Sequence, residues 1–221
     1  MARLEFDVGT AEITDLVIAG WTGRDVEALN HHIEELKAIG VQPPSQVPIY
    51  YRVSAAMLTQ ADSIQVLGDD SSGEAEPVLV GTAERLWVTL GADHTDRKVE
   101  SYGIAVSKQM CAKPIGCTAW RFEDVEPHWD RLMLRSYVTD AGNRVLYQEG
   151  PLANIRRPRE LIAGWHGGDK RLPAGVAMFC GTMGAIGGIR PSPRFEMELE
   201  DPVLGRKLTH SYHVQSLPVV S

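Results

Sequence analysis

The sequence predicts an α+β, mainly β chain, and three observations carry that reading. The 221 residues include 21 glycines and 13 prolines, which implies many turns and disfavours a helical bundle. The apolar residues fall in short runs or alternate with charged ones, as at 3–8 and 195–200. Helical spacing is clear over one stretch, 25–39, where Val26, Leu29, Ile33 and Leu36 recur.

In order, 3–8 and 13–19 read as strands, the second ending at Gly20 before the turn formed by Trp21, Thr22, Gly23 and Arg24. Asp25 is an N-cap for the helix 25–39 and Gly40 its stop. Pro43, Pro44 and Pro48 make an extended loop, followed by short strands at 50–53 and 64–68. The polar loop 69–73 leads into two apolar runs, 78–80 and 86–90, placed to pair as a hairpin across a turn at 81–84. A helical turn follows within 99–106. The segments 132–136 and 145–148 read as strands joined through Asp140, Ala141, Gly142 and Asn143. A helix starts over 158–162, 164–168 is a flexible connector, and 176–180 is a strand. Along 195–200, Glu196, Glu198 and Glu200 point outward as a solvated face. With no internal repeat, low-complexity tract or linker, the expectation is a single domain over 1–221.

Composition removes several function classes. The net charge is 22 − 29 = −7, without the basic footprint that sequence-independent nucleic-acid binding needs. No apolar run approaches the ~20 residues of a membrane span. The start, 1–7, has no apolar core of a secretory signal. Three cysteines, Cys111, Cys117 and Cys180, suggest reduced thiols and a cytoplasmic setting. Cys111 and Cys117 are spaced too widely for the usual zinc pair.

The stretch 72–97 organises the candidate chemistry. Glu74 and Glu76 are two apart, so on an extended chain both carboxylates point the same way. Asp93 follows the second apolar run, so a hairpin would bring the three acids together. Converging carboxylates repel unless a cation lies between them, and an all-oxygen set suits Mg²⁺, Mn²⁺ or Ca²⁺. The same spacing also suits an edge strand with a solvated acidic face and Asp93 as a turn cap. On the helix 25–39, His32 and Glu35 are three apart and neighbour each other, which suits a water-activating pair or an ordinary surface contact. His31 and Glu34 repeat that spacing on another face. Lys108 stands in a low-charge segment, either near the acids or as a surface lysine. The glycines around Thr182 in Gly181-Thr182-Met183-Gly184 allow close backbone approach to a ligand, or form only a turn.

Taken in order, these features are a His-x-x-Glu helix, Glu-x-Glu, Asp-x-x-x-Arg, a Lys, and a strand ending in Gly-Thr-x-Gly. The chain thereby resembles the fumarylacetoacetate hydrolase superfamily over about 16–215, through His32 and Glu35, Glu74 and Glu76, Asp93 and Arg97, Lys108, and 181–184. The run Gly91-Ala92-Asp93-His94-Thr95-Asp96-Arg97 marks a subgroup. The resemblance implies a mixed β roll with peripheral helices, usually a homodimer, in which 25–39 is a lid. It implies Mg²⁺ or Mn²⁺ on Glu74, Glu76 and Asp93, water activation by His32 and Glu35, and substrate contacts from Lys108, Arg97, Gly181 and Thr182. Two departures stand out. The link from Glu76 to Asp93 is short, and Cys111, Lys113 and Cys117 follow Lys108 where mostly apolar residues are expected.

The function so implied is metal-dependent hydrolysis of a C–C bond in a 2-oxo acid or 1,3-dicarbonyl, acylpyruvate-like substrate. Hydration, dehydration or decarboxylation of a 2-oxo acid uses similar parts, and a small-molecule-binding protein without turnover would keep the carboxylate cluster.

Overall fold

The computed structural model describes residues 1–27, 34 and 44–220. The lid helix expected over 25–39, with His31, His32 and Glu35, therefore lies almost wholly outside the described residues. At its start, Asp25 Oδ1 accepts a hydrogen bond from the Glu27 N–H at 3.0 Å, as an N-cap does.

Two large sheets, with three two-stranded ones beside them, make up the β-structure of the described residues. The first has six strands in the order Trp120–Arg121, Leu86–Ala92, Ala75–Gly81, Val176–Phe179, Asp15–Gly20 and Ile49–Val53. It is antiparallel except where Val176–Phe179 runs parallel to Asp15–Gly20. The second has five, in the order Asn143–Pro151, Met133–Asp140, Arg194–Asp201, Arg206–Leu217 and Ser63–Leu67, with the last pair parallel. This mixed, mainly β architecture with small peripheral helices agrees with the expected class.

Burial explains the sequence patterns. Ala75–Gly81 is buried at every position because it lies inside the six-stranded sheet with core on both faces. Leu79, Val88 and Leu90 meet Leu134, Phe195 and Leu199 between the two sheets. On the other face, Val78, Val80 and Phe179 pack with Leu4, Ala11 and Ile13 of the N-terminal hairpin Ala2–Phe6 and Gly9–Ile13. Each such fully buried Leu or Phe contributes about 1.5–3 kcal/mol. Arg194–Asp201 alternates half-buried and buried, and its outward Glu196, Glu198 and Glu200 pair with Arg135, Arg144, Arg194 and Lys207.

Three local expectations change. The segment 164–168 is not a connector throughout, since the helix Pro158–Trp165 continues through Gly164. A Cβ at Gly164 would come within 2.3 Å of the Tyr50 hydroxyl, so the glycine serves close packing rather than flexibility. The strands Gly9–Ile13 and Arg206–Leu217 add to those read from the sequence.

Asp201 closes the turn between Arg194–Asp201 and Arg206–Leu217. Its fully buried carboxylate accepts from the Val203 and Leu204 N–H groups, both at 3.1 Å, and lies 2.9 Å from His128 Nε2 and 3.2 Å from Arg206 Nε. Burial alone would raise its pKa. Hydrogen bonds from the Leu204 N–H, His128 and the Val203 N–H outweigh burial and hold it below the ordinary value. A depressed carboxylate stabilises fully above the unfolded value, about 3.9, and loses that contribution as pH falls through the folded value. Asp201→Asn is therefore expected to cost about 1.5–3 kcal/mol at neutral pH. In urea titrations the gap from wild type should narrow toward pH 3. A gap that is constant with pH would contradict the ionic account.

Candidate functional site

The hairpin of Ala75–Gly81 and Leu86–Ala92 does what the spacing predicts. Its register pairs Ala75 with Ala92 and Glu76 with Gly91, which sets Glu74 opposite Asp93. The Asp93 N–H donates to the Glu74 carbonyl at 2.9 Å. Glu74, Glu76 and Asp93 each bring a carboxylate oxygen within 4.8 Å of the others, and Glu76 and Asp93 are 2% and 0% exposed. The edge-strand alternative for these acids does not hold. Gly91 is required here, because a Cβ would come within 2.8 Å of the Phe179 ring and 3.0 Å of the Pro114 carbonyl.

Three cations surround the trio. Lys108 pairs with Asp93 Oδ2 and Lys113 with Asp93 Oδ1, the latter at 3.0 Å. Arg97 pairs with Glu74 at 3.1 Å and Glu100 at 3.0 Å, and its Nε donates to Ser72 Oγ at 2.7 Å. Short helices deliver two of them. Asp96 caps Arg97–Glu100 by accepting from the Val99 N–H, and Ser107 Oγ donates to the Asp96 carbonyl, fixing Ile104–Met110 and with it Lys108.

The electrostatics are those of a largely buried charged cluster. Burial, then the Asp93 charge, raises the Glu76 pKa well above the carboxylate range, against the pull of Lys108 and the Gly181 N–H. Burial would also raise Asp93, but Lys108 and Lys113 outweigh it and drive Asp93 below its ordinary value. Burial disfavours the charged form of Lys108, yet Asp93 and Glu74 more than offset this and raise its pKa. The donor set fits a hard divalent ion, with three carboxylates on one spot and cations holding their orientation.

The strand end at Val176–Phe179 completes one wall. Gly181 N–H donates to Glu76 Oε2 at 2.6 Å, and Thr182 Oγ1 donates to the Ala75 carbonyl at 2.6 Å. As placed, both groups hold the trio's strand. Gln148 acts with them. Its Oε1 accepts from the Ala75 N–H at 3.0 Å, and its Nε2 donates to Thr182 Oγ1 at 2.7 Å and the Met183 carbonyl at 2.6 Å.

Sequence reasoning selected Lys108 alone as the site's lysine and passed over Lys113, Gln148 and His94. His94 lies 2.9 Å from both the Tyr212 hydroxyl and Ser71 Oγ. Burial, with Lys113 and Arg97 nearby, pushes its pKa down to about 3, so it is a neutral bolt between the sheets. Arg97, Lys108, Gly181 and Thr182 all border the trio. His32 and Glu35 lie outside the described residues, so their place is left to the sequence reading.

A cleft of about 440 Å³ opens at the far end of Ala75–Gly81, beside Gly81, Thr82 and Trp87. No member of the trio or of its cations lines it. Among the described residues no helix is long and apolar enough to cross a membrane.

Comparison with solved structures places this architecture. A protein of Oleispira antarctica named as a fumarylacetoacetate isomerase/hydrolase superposes with a TM-score of 0.68 at 20% identity, covering 97% of this chain and 100% of its own. A Burkholderia cenocepacia protein named as a fumarylpyruvate hydrolase gives 0.66 at 18% identity, over 98% and 92%. A 2-keto-3-deoxyarabinonate dehydratase gives 0.68 at 15% identity, over 93% and 75%. The fold is thus that of the fumarylacetoacetate hydrolase superfamily. No functionally curated protein matches the chain by sequence. A family model described as "Protein of unknown function (DUF2848)" matches residues 19–212, and the chain belongs to that family.

Proposed function

We propose that the chain is a metal-dependent enzyme that hydrolyses a C–C bond in a 2-oxo acid or 1,3-dicarbonyl, acylpyruvate-like substrate. The observation that carries this reading is the trio of buried Glu76 and Asp93 with half-buried Glu74, with oxygens within 4.8 Å of one another and Lys108 at its edge. Glu74, Glu76 and Asp93 would hold Mg²⁺ or Mn²⁺, with Ca²⁺ as a further hard ion of the same chemistry. The ion would supply Lewis-acid polarisation of a substrate carbonyl. Lys108 would offer an ammonium to negative charge developing on a substrate oxygen. Arg97 would steer the substrate carboxylate while fixing Glu74, and Gly181 and Thr182 would form the wall against which substrate rests. His32, oriented by Glu35, would deliver the water. The reading includes a homodimer and a cytoplasmic setting, the latter supported by free Cys111, Cys117 and Cys180.

The experiment is a calorimetric Mn²⁺ titration of wild type and Glu76→Gln, with product analysis on a small acylpyruvate and on oxaloacetate. Glu76→Gln is expected to weaken binding by more than about 100-fold, beyond the loss usual for residues that only support ligands. Equal affinity in the two proteins would remove the metal site.

Dehydration of a sugar-derived 2-oxo acid is the second reading. It is favoured by the superposition at 0.68 on a 2-keto-3-deoxyarabinonate dehydratase. If His32→Ala abolishes acylpyruvate cleavage but spares lyase activity, water delivery is the task of His32.

A further inference from the structure

Two ammonium groups reach one carboxylate at this site, and they are held differently. Lys113 is fully buried, pairs with Asp93 Oδ1 and donates to the His94 carbonyl. Its strand, Lys113–Pro114, is fixed by parallel pairing with Leu58–Thr59. Lys108 takes the other oxygen, Oδ2, from the helix Ile104–Met110. Only Ser107 and Lys108 of that helix are buried, and no side chain caps it at Gly103. Val106 and Met110 are 60% and 40% exposed, so the helix is held less by apolar packing than by two hydrogen bonds, Ser107 Oγ to the Asp96 carbonyl and the Ser54 N–H to Gln109 Oε1.

The Lys108 ammonium also faces more of the site. Beyond its pair with Asp93, the charges of Glu74 and Glu76 act on it from further than ion-pair distance. The Tyr51 ring stands on another side, its centroid 5.6 Å from Nζ. Lys108, Lys113 and Arg97 already stand against the three carboxylates, and Arg97 pairs with Glu100 as well. A divalent ion would enter a site that already holds cations, at a carboxylate whose two oxygens both hold ammonium groups.

We propose that Lys108 is a tethered placeholder cation, which holds Asp93 Oδ2 in the metal-free protein and is displaced when a divalent ion enters. Lys113 remains the permanent partner of Asp93. The displaced ammonium stays tethered beside the ion, where a substrate oxygen would meet it. Metal must then load before substrate, because the ion itself releases the substrate-facing cation. The inference rests on the metal reading above and adds an order of events to it.

The test compares full-length wild type without metal and saturated with Mn²⁺. Each is pulsed with acetic anhydride, and lysine acetylation is mapped by peptide mass spectrometry. Lys108 acetylation is expected to rise several-fold on Mn²⁺ loading, while Lys113 stays protected in both states. By linkage, Lys108→Gln is expected to bind Mn²⁺ about 5- to 150-fold more tightly than wild type in calorimetry. Unchanged or reduced Lys108 labelling in protein that calorimetry shows to be loaded overturns this proposal alone. So does equal or weaker Mn²⁺ affinity in a folded Lys108→Gln. Absence of any Mn²⁺ binding by wild type overturns both this proposal and the metal reading. Should the variant not fold, labelling of the unmodified protein still decides.

Discussion

Asp93→Asn is expected to lower the stability of the protein by about 3–5 kcal/mol. For a chain of this size that corresponds to a fall in melting temperature of roughly 6–20 °C. Asp93 is 0% exposed and is the shared counter-ion of Lys108 and Lys113. An amide there would leave Lys113, also fully buried, with the His94 carbonyl but no opposite charge in contact. The cost is that of an uncompensated buried ammonium rather than of one lost contact. A second substitution distinguishes the two. Lys113→Met on the Asp93→Asn background removes the stranded charge and is expected to recover half of the loss or more, since an apolar side chain replacing a buried ion is often neutral. Thermal scans and urea titrations of the wild type and the two variants supply the measurement. A cost below about 1 kcal/mol for Asp93→Asn would mean that the lysines do not depend on this carboxylate.

What the sequence disclosed and what it hid follow from how local each signal is. The hairpin Met133–Asp140 and Asn143–Pro151 was legible because Asp140, Gly142 and Asn143 are turn formers, and Gly142 takes a positive φ of 81° that a tight turn needs. Glu74 and Glu76 were legible because period two puts both on one face, and Asp93 because a short link returns the chain beside them. The parallel pairing of Val176–Phe179 with Asp15–Gly20 was not legible, since it joins segments some 160 residues apart with no shared local pattern. Arg206–Leu217 was hidden because few of its side chains are buried, Leu208 and Tyr212 among them, so it shows little apolar period.

The same distinction separates the site residues. Lys113 reads only as a departure where apolar residues are expected, until Lys113–Pro114 pairs with Leu58–Thr59 and carries it inside. Gln148 was hidden by a register shift. Ser136 pairs with Gln148 but Tyr137 with Leu146, so Tyr147 is an extra residue and both Tyr147 and Gln148 are buried in succession. Period-two reasoning places one of them in solvent. A signal was nevertheless present in the stretch 109–120, where Lys113 is the only charged residue. An isolated charge in such a stretch is uncommon inside a fold unless it has a partner.

Gly181→Ala is expected to destabilise the protein by roughly 2–6 kcal/mol, the sum of backbone strain and overpacking. Gly181 has φ +102°, a conformation that side-chain-bearing residues rarely adopt, and an added Cβ would lie 1.8 Å from Thr22 Oγ1. Thr22 is itself buried, and its carbonyl accepts from the Arg156 N–H at 2.8 Å, so it has little room to withdraw. The change also reaches the carboxylates, because the Gly181 N–H donates to Glu76 Oε2. Thr22→Ala on the Gly181→Ala background removes the collision but not the φ strain, so it should restore part of the loss. Gly184→Ala, three residues on, is the matched control. Nothing lies within 4 Å of a Cβ there, and its effect should stay within about 0.5 kcal/mol. Equal melting temperatures for the two single variants would show that Gly181 is an ordinary turn glycine, and that the strand end at Val176–Phe179 does not depend on its close approach to Thr22.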